Sequence, residues 1–196
     1  MCAYVLARYQ FKGSRLIYYL MLSGLTFPIF LAIVPLYQVM RVLPLPWDWD
    51  QSLLGTHFGL ILTYVAFAMP FTVFFLYSFF LNLPDEIAEA AEVDGAGEWT
   101  KFFRVMLPMA KPGLASVAIF NFLGLWNQFI LPVALNPRRD KYVLAQGIND
   151  FSSQMGYRTD YGALFGAVVI TVIPVLIVYL IFQRQLQGSV DKGTMK

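Results

Sequence analysis

Charged residues are unevenly spread along this chain: positions 16–40, 51–84, 112–137 and 161–183 contain no Asp, Glu, Lys or Arg. These stretches are 25, 34, 26 and 23 residues long and are rich in Leu, Ile, Val, Phe and Ala. A hydrocarbon layer about 30 Å thick is crossed by roughly 20 helical residues, so each stretch is long enough to span once. The pattern predicts an all-α membrane protein with transmembrane helices at about 16–40, 53–83, 112–135 and 161–183, in a single membrane domain over residues 1–196. Pro70 and Pro174 fall inside apolar runs, where a proline removes a backbone hydrogen bond; they are expected as hinges or as tolerated bends.

The connections differ in character. Positions 41–50 hold Pro44, Pro46, Trp47 and Trp49, which suits an interfacial turn. Positions 136–160 are polar, with Tyr142, Gly147, Gly156 and Tyr157, and could cap a pathway or touch an external protein. Positions 84–97 predict a short helix, with Pro84 at its start, Asp85 and Glu86 at the positive end of the dipole and Gly95 as its stop. A second helix over 98–107 would carry Trp99, Phe102, Phe103 and Met106 on one face, with Glu98, Lys101 and Arg104 turned away. It is expected to lie along the membrane surface before Pro108 and Pro112 redirect the chain. In the last span Gly162, Ala163, Gly166 and Ala167 recur at four-residue intervals and predict close helix packing.

Composition agrees: hydrophobic residues make up 58%, charged residues 13%, and the mean hydropathy is +0.60. A net charge of +2 supplies no basic field for nucleic acid. The lone Cys2 rules out an internal disulfide or thiolate cluster, and the lone His57, expected at an interface, rules out a multi-histidine metal site. Neither metal nor cofactor is expected, and no Gly-x-x-x-x-Gly-Lys-Ser/Thr loop is present to bind ATP. Met1 to Arg15 has the basic start of a signal, but the apolar run after it is too long for one, which predicts a retained helix. Four crossings put both termini on the same side as 84–111, and that side holds nine basic residues against five opposite. The termini are therefore expected in the cytoplasm.

Within the central loop, Glu89-Ala90-Ala91, three residues, Gly95, nine residues and Val105-Met106-Leu107-Pro108 resemble the EAA motif of permease subunits of ATP-binding-cassette importers, with valine where isoleucine is common. Ala3-Tyr4-Val5-Leu6-Ala7-Arg8, Trp126-Asn127-Gln128-Phe129, and Phe182-Gln183-Arg184 with Gly188 are similar to the carbohydrate-uptake, maltose-transporter-like branch. The resemblance implies a cytoplasmic coupling helix within 84–111, with Glu89, Ala90, Ala91, Gly95, Leu107 and Pro108 as ATPase-coupling residues. It also implies a separate ATP-hydrolysing subunit dimer, a second permease subunit, an extracytoplasmic sugar-binding protein, and the inner membrane of a bacterium or archaeon. Members of the branch have six spans, so the chain is expected to be a six-helix fold lacking its first two helices.

For the solute, 100° steps place Asn121 and Gln128 on one face of the third span, about 10 Å apart. Amides suit sugar hydroxyls and Trp126 suits a pyranose face, whereas Asn127 points away from that stripe. These four residues are candidates for the substrate path; interhelical hydrogen bonding to a partner is the competing role. Uncharged spans favour a neutral sugar or oligosaccharide. The alternatives are a permease for a non-sugar solute such as glycerol phosphate, a non-transporting scaffold, and a membrane-embedded enzyme, for which no convergent catalytic groups are visible. Glu86, Glu89, Glu92 and Asp94 are read as a docking surface.

Overall fold

The computed structural model describes residues 1–154 and 160–194, with side chains of the last segment as far as Gln183; Gly156 and Tyr157 lie outside the described residues. The elements are α1 (Cys2–Arg8), α2 (Ser14–Thr26), α3 (Ile29–Val42), a two-stranded antiparallel ribbon of β1 (Pro44–Leu45) and β2 (Asp48–Ser52), α4 (His57–Leu81) and α5 (Asp85–Val93). A helical rod Glu98–Met109 follows, made of α6 (Glu98–Thr100), a π-helical segment (Lys101–Met106) and α7 (Leu107–Met109). Then come α8 (Lys111–Trp126), α9 (Ile130–Leu135), a 3-10 turn (Arg139–Lys141), α10 (Leu144–Gln154) and α11 (Tyr161–Thr194).

Two expected spans are unbroken helices, His57–Leu81 and Tyr161–Gln183, and both contain their proline without interruption. The other two are broken. The first span is interrupted between α2 and α3, where Pro28 takes extended geometry (φ −67°, ψ 120°). A proline cannot donate to the preceding turn and forces the residue before it out of the helical region, so Phe27 and Pro28 end one helix and start the next. The third span stops at Trp126 and resumes at Ile130. Pro132 would clash with the Gln128 carbonyl if the helix ran through, which places the break ahead of it. The chain turns by 69° between the rod and α8.

The described residues pack as two compact units. The first gathers Met1–Leu25, Met69–Asn121 and the end of α11 from Ile181. Its core is Tyr4 and Leu6 of α1, Val73, Leu76 and Phe80 of α4, Phe102 and Met106 of the rod, Ala110, and Val117 of α8. Tyr4 is the hub: its ring lies 5.3 Å from that of Phe80 and 4.9 Å from that of Phe102. Close backbone approach needs glycine at Gly113, where a Cβ would sit 2.6 Å from the Phe79 ring.

The second unit comprises Thr26–Ala68 and the described part of Phe122–Leu180. Met40, Leu45, Leu53, Leu60, Leu131 and Leu135 form its core. The expected interfacial turn is the β-ribbon, which exposes Trp47 and Trp49. Where the sequence predicts a polar loop at 136–160, the chain instead builds α10 and ties it down. The buried Asn136 amide donates to the Lys141 carbonyl (2.6 Å) and to Gln146 Oε1 (3.1 Å), and Gln146 donates to the carbonyls of Pro132 (3.0 Å) and Asn136 (2.9 Å). His57, expected at an interface, reaches across the chain to the Lys141 carbonyl at 3.0 Å. The packing predicted for the last span is absent among the described residues: none of 161–183 is buried, and a Cβ on Gly166 would meet nothing within 4 Å.

Gln146→Leu removes both donors and the shared acceptor of this buried network. The expected cost is about 1–3 kcal/mol, read as a lowered thermal midpoint of the detergent-solubilised protein; an unchanged midpoint would show that α10 is held by other means.

Candidate functional site

The short acidic helix α5 is built as the sequence predicts, with one shift: Pro84 is the N-cap, and Asp85 and Glu86 occupy the first turn. Its C-terminus is a Schellman motif. The Ala96 N–H donates to the Ala91 carbonyl (2.9 Å), the Gly95 N–H donates to the Glu92 carbonyl (2.9 Å), and Gly95 sits at φ +80°. That left-handed geometry costs an ordinary residue about 1–2 kcal/mol, which is why glycine stands there.

The Glu-Ala-Ala triplet is divided between two faces. Ala91 is buried and Ala88 packs against the first core, whereas Glu86, Glu89, Ala90 and Val93 are exposed. Val93, at 88% exposure, is an apolar side chain that nothing among the described residues covers. Leu107 and Pro108 are not on α5; Leu107 packs on the first core and Pro108 lies in the elbow where the rod turns into α8.

Two ionic ties hold this helix, one to α1 and one to the rod. Arg8 pairs with Asp85 at the start of α5 and donates to the Leu83 carbonyl at 2.6 Å. At the other end, Lys101 is only 3% exposed; its ammonium bonds Glu92 of α5 and lies 2.9 Å from Glu98 Oε1. The Tyr9 hydroxyl donates to the second oxygen of Glu98, and the Tyr9 ring lies 5.9 Å from the ammonium. This corrects the expected face of the rod. Phe102 and Met106 point inward as predicted, but Lys101 joins them, while Trp99 (66% exposed) and Phe103 stack on each other in the open. The cause is the π-helical winding, which adds residues per turn and breaks the 3.6 period on which the expectation rests. Burial alone would push the Lys101 ammonium down, but the Glu92 and Glu98 carboxylates beside it more than offset this and hold it well above an ordinary lysine. Burial and the bond to Glu98 push the Tyr9 phenol up, and the Tyr9 hydroxyl, then Lys101, hold Glu98 below the usual carboxylate range.

The substrate-path candidates are separated. Asn121 lies in α8 and donates to Thr72 Oγ1 of α4 at 2.8 Å, an interhelical bond inside the first unit. Gln128 lies in the break after α8, so the helical steps that would align it with Asn121 do not reach it. Trp126 and Asn127 line one hollow of about 250 Å³ together with Leu144, Ala145 and Ile148 of α10 and Thr171, Val172 and Val175 of α11. Trp126 Nε1 donates to the Thr171 carbonyl at 3.2 Å, and the Asn127 amide turns back to the Leu123 carbonyl at 2.8 Å, closing the end of α8. The sequence named Trp126 and Asn127 and allowed 136–160 to cap a pathway, but gave no sign of the helix α10 that forms the opposite wall.

Gly95→Val is expected to destabilise the end of α5 by about 1–2 kcal/mol, seen as faster amide exchange at 91–96 with global stability retained; unchanged exchange would refute the strain argument. The tie at Glu98 has a defined acid limit. A depressed carboxylate contributes above its unfolded value, about 4.3, and loses that contribution as pH falls through the lower folded value. Lys101, raised, contributes fully below about 10.4 and loses its contribution only above that, as pH rises through the higher folded value. Fluorine NMR of fluorotryptophan at Trp99, beside Glu98, is therefore expected to be flat from about pH 5 to 9 and to shift at more acidic pH. Tyr9→Phe should move that acid transition upward; an unmoved transition would detach Glu98 from Tyr9.

Residues 1–192 match the family described as binding-protein-dependent transport system inner membrane component. The chain is 63% identical over 196 residues, all of its own length and 62% of the relative's, to the diacetylchitobiose uptake system permease protein of Streptomyces coelicolor. It is 31% identical over 196 residues, again its whole length and 69% of the relative's, to the trehalose transport system permease protein of Mycobacterium tuberculosis. Among solved structures, a bacterial ABC transporter involved in import of the acidic polysaccharide alginate superposes with a TM-score of 0.71 at 24% identity, over 93% of this chain and 65% of that one. An inward-facing methionine ABC transporter gives 0.68 at 21% identity, over 95% and 82%. These last two likenesses are of fold. The helix order, the acidic helix held on the membrane core and the match over nearly the whole length make this chain a multi-pass membrane protein of the binding-protein-dependent transport inner membrane component family.

Proposed function

We propose that the chain is a permease subunit of an ATP-driven importer for a neutral saccharide, and that α5 is where a separate ATP-hydrolysing subunit docks. The observation that carries this is the open face of α5: Glu86, Glu89, Ala90 and Val93 project from a helix whose opposite side and both ends are fastened to the membrane core. A small residue between carboxylates lets a partner backbone come close while basic groups make charge-assisted hydrogen bonds. The docked partner is an ATPase dimer with basic residues in its cleft, and its energy input explains how a chain without a phosphate-binding loop drives uptake.

The saccharide reading rests on the uncharged spans and on relatives that carry diacetylchitobiose and trehalose. The identity with the diacetylchitobiose permease makes an N-acetylated disaccharide the first solute to test. Trp126 and Asn127, on their shared hollow, are the residues placed to meet it, and Asn121 serves α8–α4 packing. A second permease subunit and an extracytoplasmic binding protein complete the assembly, in a bacterial or archaeal inner membrane with both termini cytoplasmic.

Deletion of the gene is expected to abolish accumulation of labelled diacetylchitobiose and to leave methionine uptake unchanged; undiminished saccharide accumulation across mono- and disaccharides would overturn the reading. In a background lacking Cys2, a cysteine at Ala96 should resist an impermeant thiol reagent in intact cells, while one at Ser153 should react. Labelling at Ala96 from outside would place α5 on the wrong side for an ATPase.

A further inference from the structure

We propose that Lys101 is a positioning residue: bridging Glu92 of α5 and Glu98 of the rod from a buried site, it fixes α5 on the membrane core so that a push on α5 moves the core instead of the loop. The inference rests on α5 being the docking element.

Helix α5 has little else to hold it. It is nine residues long, below the length at which an isolated helix persists, and its inward face offers mainly Ala88 and Ala91, which have little surface to bury. Its orientation is therefore set by its two ends. Arg8 of α1 holds the first through Asp85 and the Leu83 carbonyl. Lys101 holds the second, and the Tyr9 hydroxyl on Glu98 returns that tie to the chain just after α1. Between these anchors α1 buries Ala3, Tyr4 and Leu6 against α4 and the rod, so both ties end on the first core.

The burial of Lys101 is what gives the tie direction. A lysine is rarely buried unless paired, because its ammonium must keep hydrogen-bond acceptors. Here the side chain is 4% exposed while the carboxylates of Glu92 and Glu98 are 57% and 62% exposed. The fixed end of the pair belongs to the rod, and the carboxylate of α5 is drawn to it. The π-helical winding that begins at Lys101 turns the side chain inward; a regular helix would leave it on the outer face the sequence predicts.

This asymmetry makes the test clean. Lys101→Met places an apolar side chain of similar length in a buried site and leaves two carboxylates on exposed side chains that water can still reach. Lys101→Arg keeps both bonds. With the full-length permease assembled with its ATPase and companion membrane subunit in proteoliposomes, two quantities are read: amide exchange of α5, and diacetylchitobiose moved per ATP hydrolysed. For Lys101→Met, exchange in α5 is expected to rise about tenfold and solute moved per ATP to fall at least about fivefold, with Lys101→Arg within about twofold of wild type. Wild-type exchange and wild-type solute per ATP in Lys101→Met would overturn the proposal, as would equal damage by Met and Arg. Should Lys101→Met not assemble, Tyr9→Phe removes the outer bond only and is expected to raise α5 exchange and lower solute per ATP; no change in either would overturn the proposal. A wild-type complex that hydrolyses ATP without moving saccharide would defeat the transport reading, while the exchange comparison would still decide the part played by Lys101.

Discussion

A backbone in hydrocarbon finds no water, so every N–H and C=O must be satisfied by the chain itself. That constraint makes α4 and α11 unbroken even through Pro70 and Pro174, and it decides where irregular backbone can exist. The break at 127–129 illustrates it. The Asn127 side chain satisfies the Leu123 carbonyl, the Gln128 N–H reaches the Leu125 carbonyl at 3.1 Å, and the segment borders a hollow lined also by α10 and α11. Non-helical chain at membrane depth is tolerated where it lines a cavity or is wrapped in protein, so a break of this kind marks the place where a permease can present polar groups.

The same constraint explains what the sequence could and could not disclose. Runs without charge locate spans because ionisable groups are excluded from hydrocarbon by large energies, and this signal located α4 nearly to its ends and the start of α11, which runs on to Thr194. It is blind to breaks, which cost no charge. Pro28 and Pro132 accompany breaks whereas Pro35, Pro70 and Pro174 sit in continuous helices; the residue type is the same and only the tertiary surroundings differ. Periodicity misled at Lys101 for a related reason. A 3.6-residue period assumes regular winding, and the local π-helical turn carried a cation from the expected outer face into the core.

In the acidic loop one short motif performs two tasks. Glu89 and Ala90 face outward, Ala91 seats the helix inward, and Gly95 ends it in a geometry closed to other residues. Spacing alone cannot tell the seating residues from the exposed ones, because both lie within one helical turn. What separates them is the position of α1, which the loop sequence does not contain. The Ala-Tyr-Val-Leu-Ala-Arg stretch, legible only as a family likeness, proves to be the part that fixes the loop: Tyr4 fills the junction of α4 and the rod, and Arg8 pairs with the first residue of α5.

Both compact units solve the same orientation problem by the same means. Inside a membrane, apolar area does not discriminate between a neighbouring helix and a lipid tail, so burial gives little preference for one packing angle over another. At the membrane's edge, short helices such as α5 and α10 have too little apolar area to fix themselves. Directional contacts therefore decide where these elements sit: Lys101 between two carboxylates in the first unit, Asn136 against Gln146 in the second. Each is a buried polar group whose isolation would be costly, and each fastens a short helix to a neighbouring segment, α5 to the rod and α10 to the end of α9. Polar burial, expensive as a source of stability, here supplies the angular definition that hydrophobic packing cannot give.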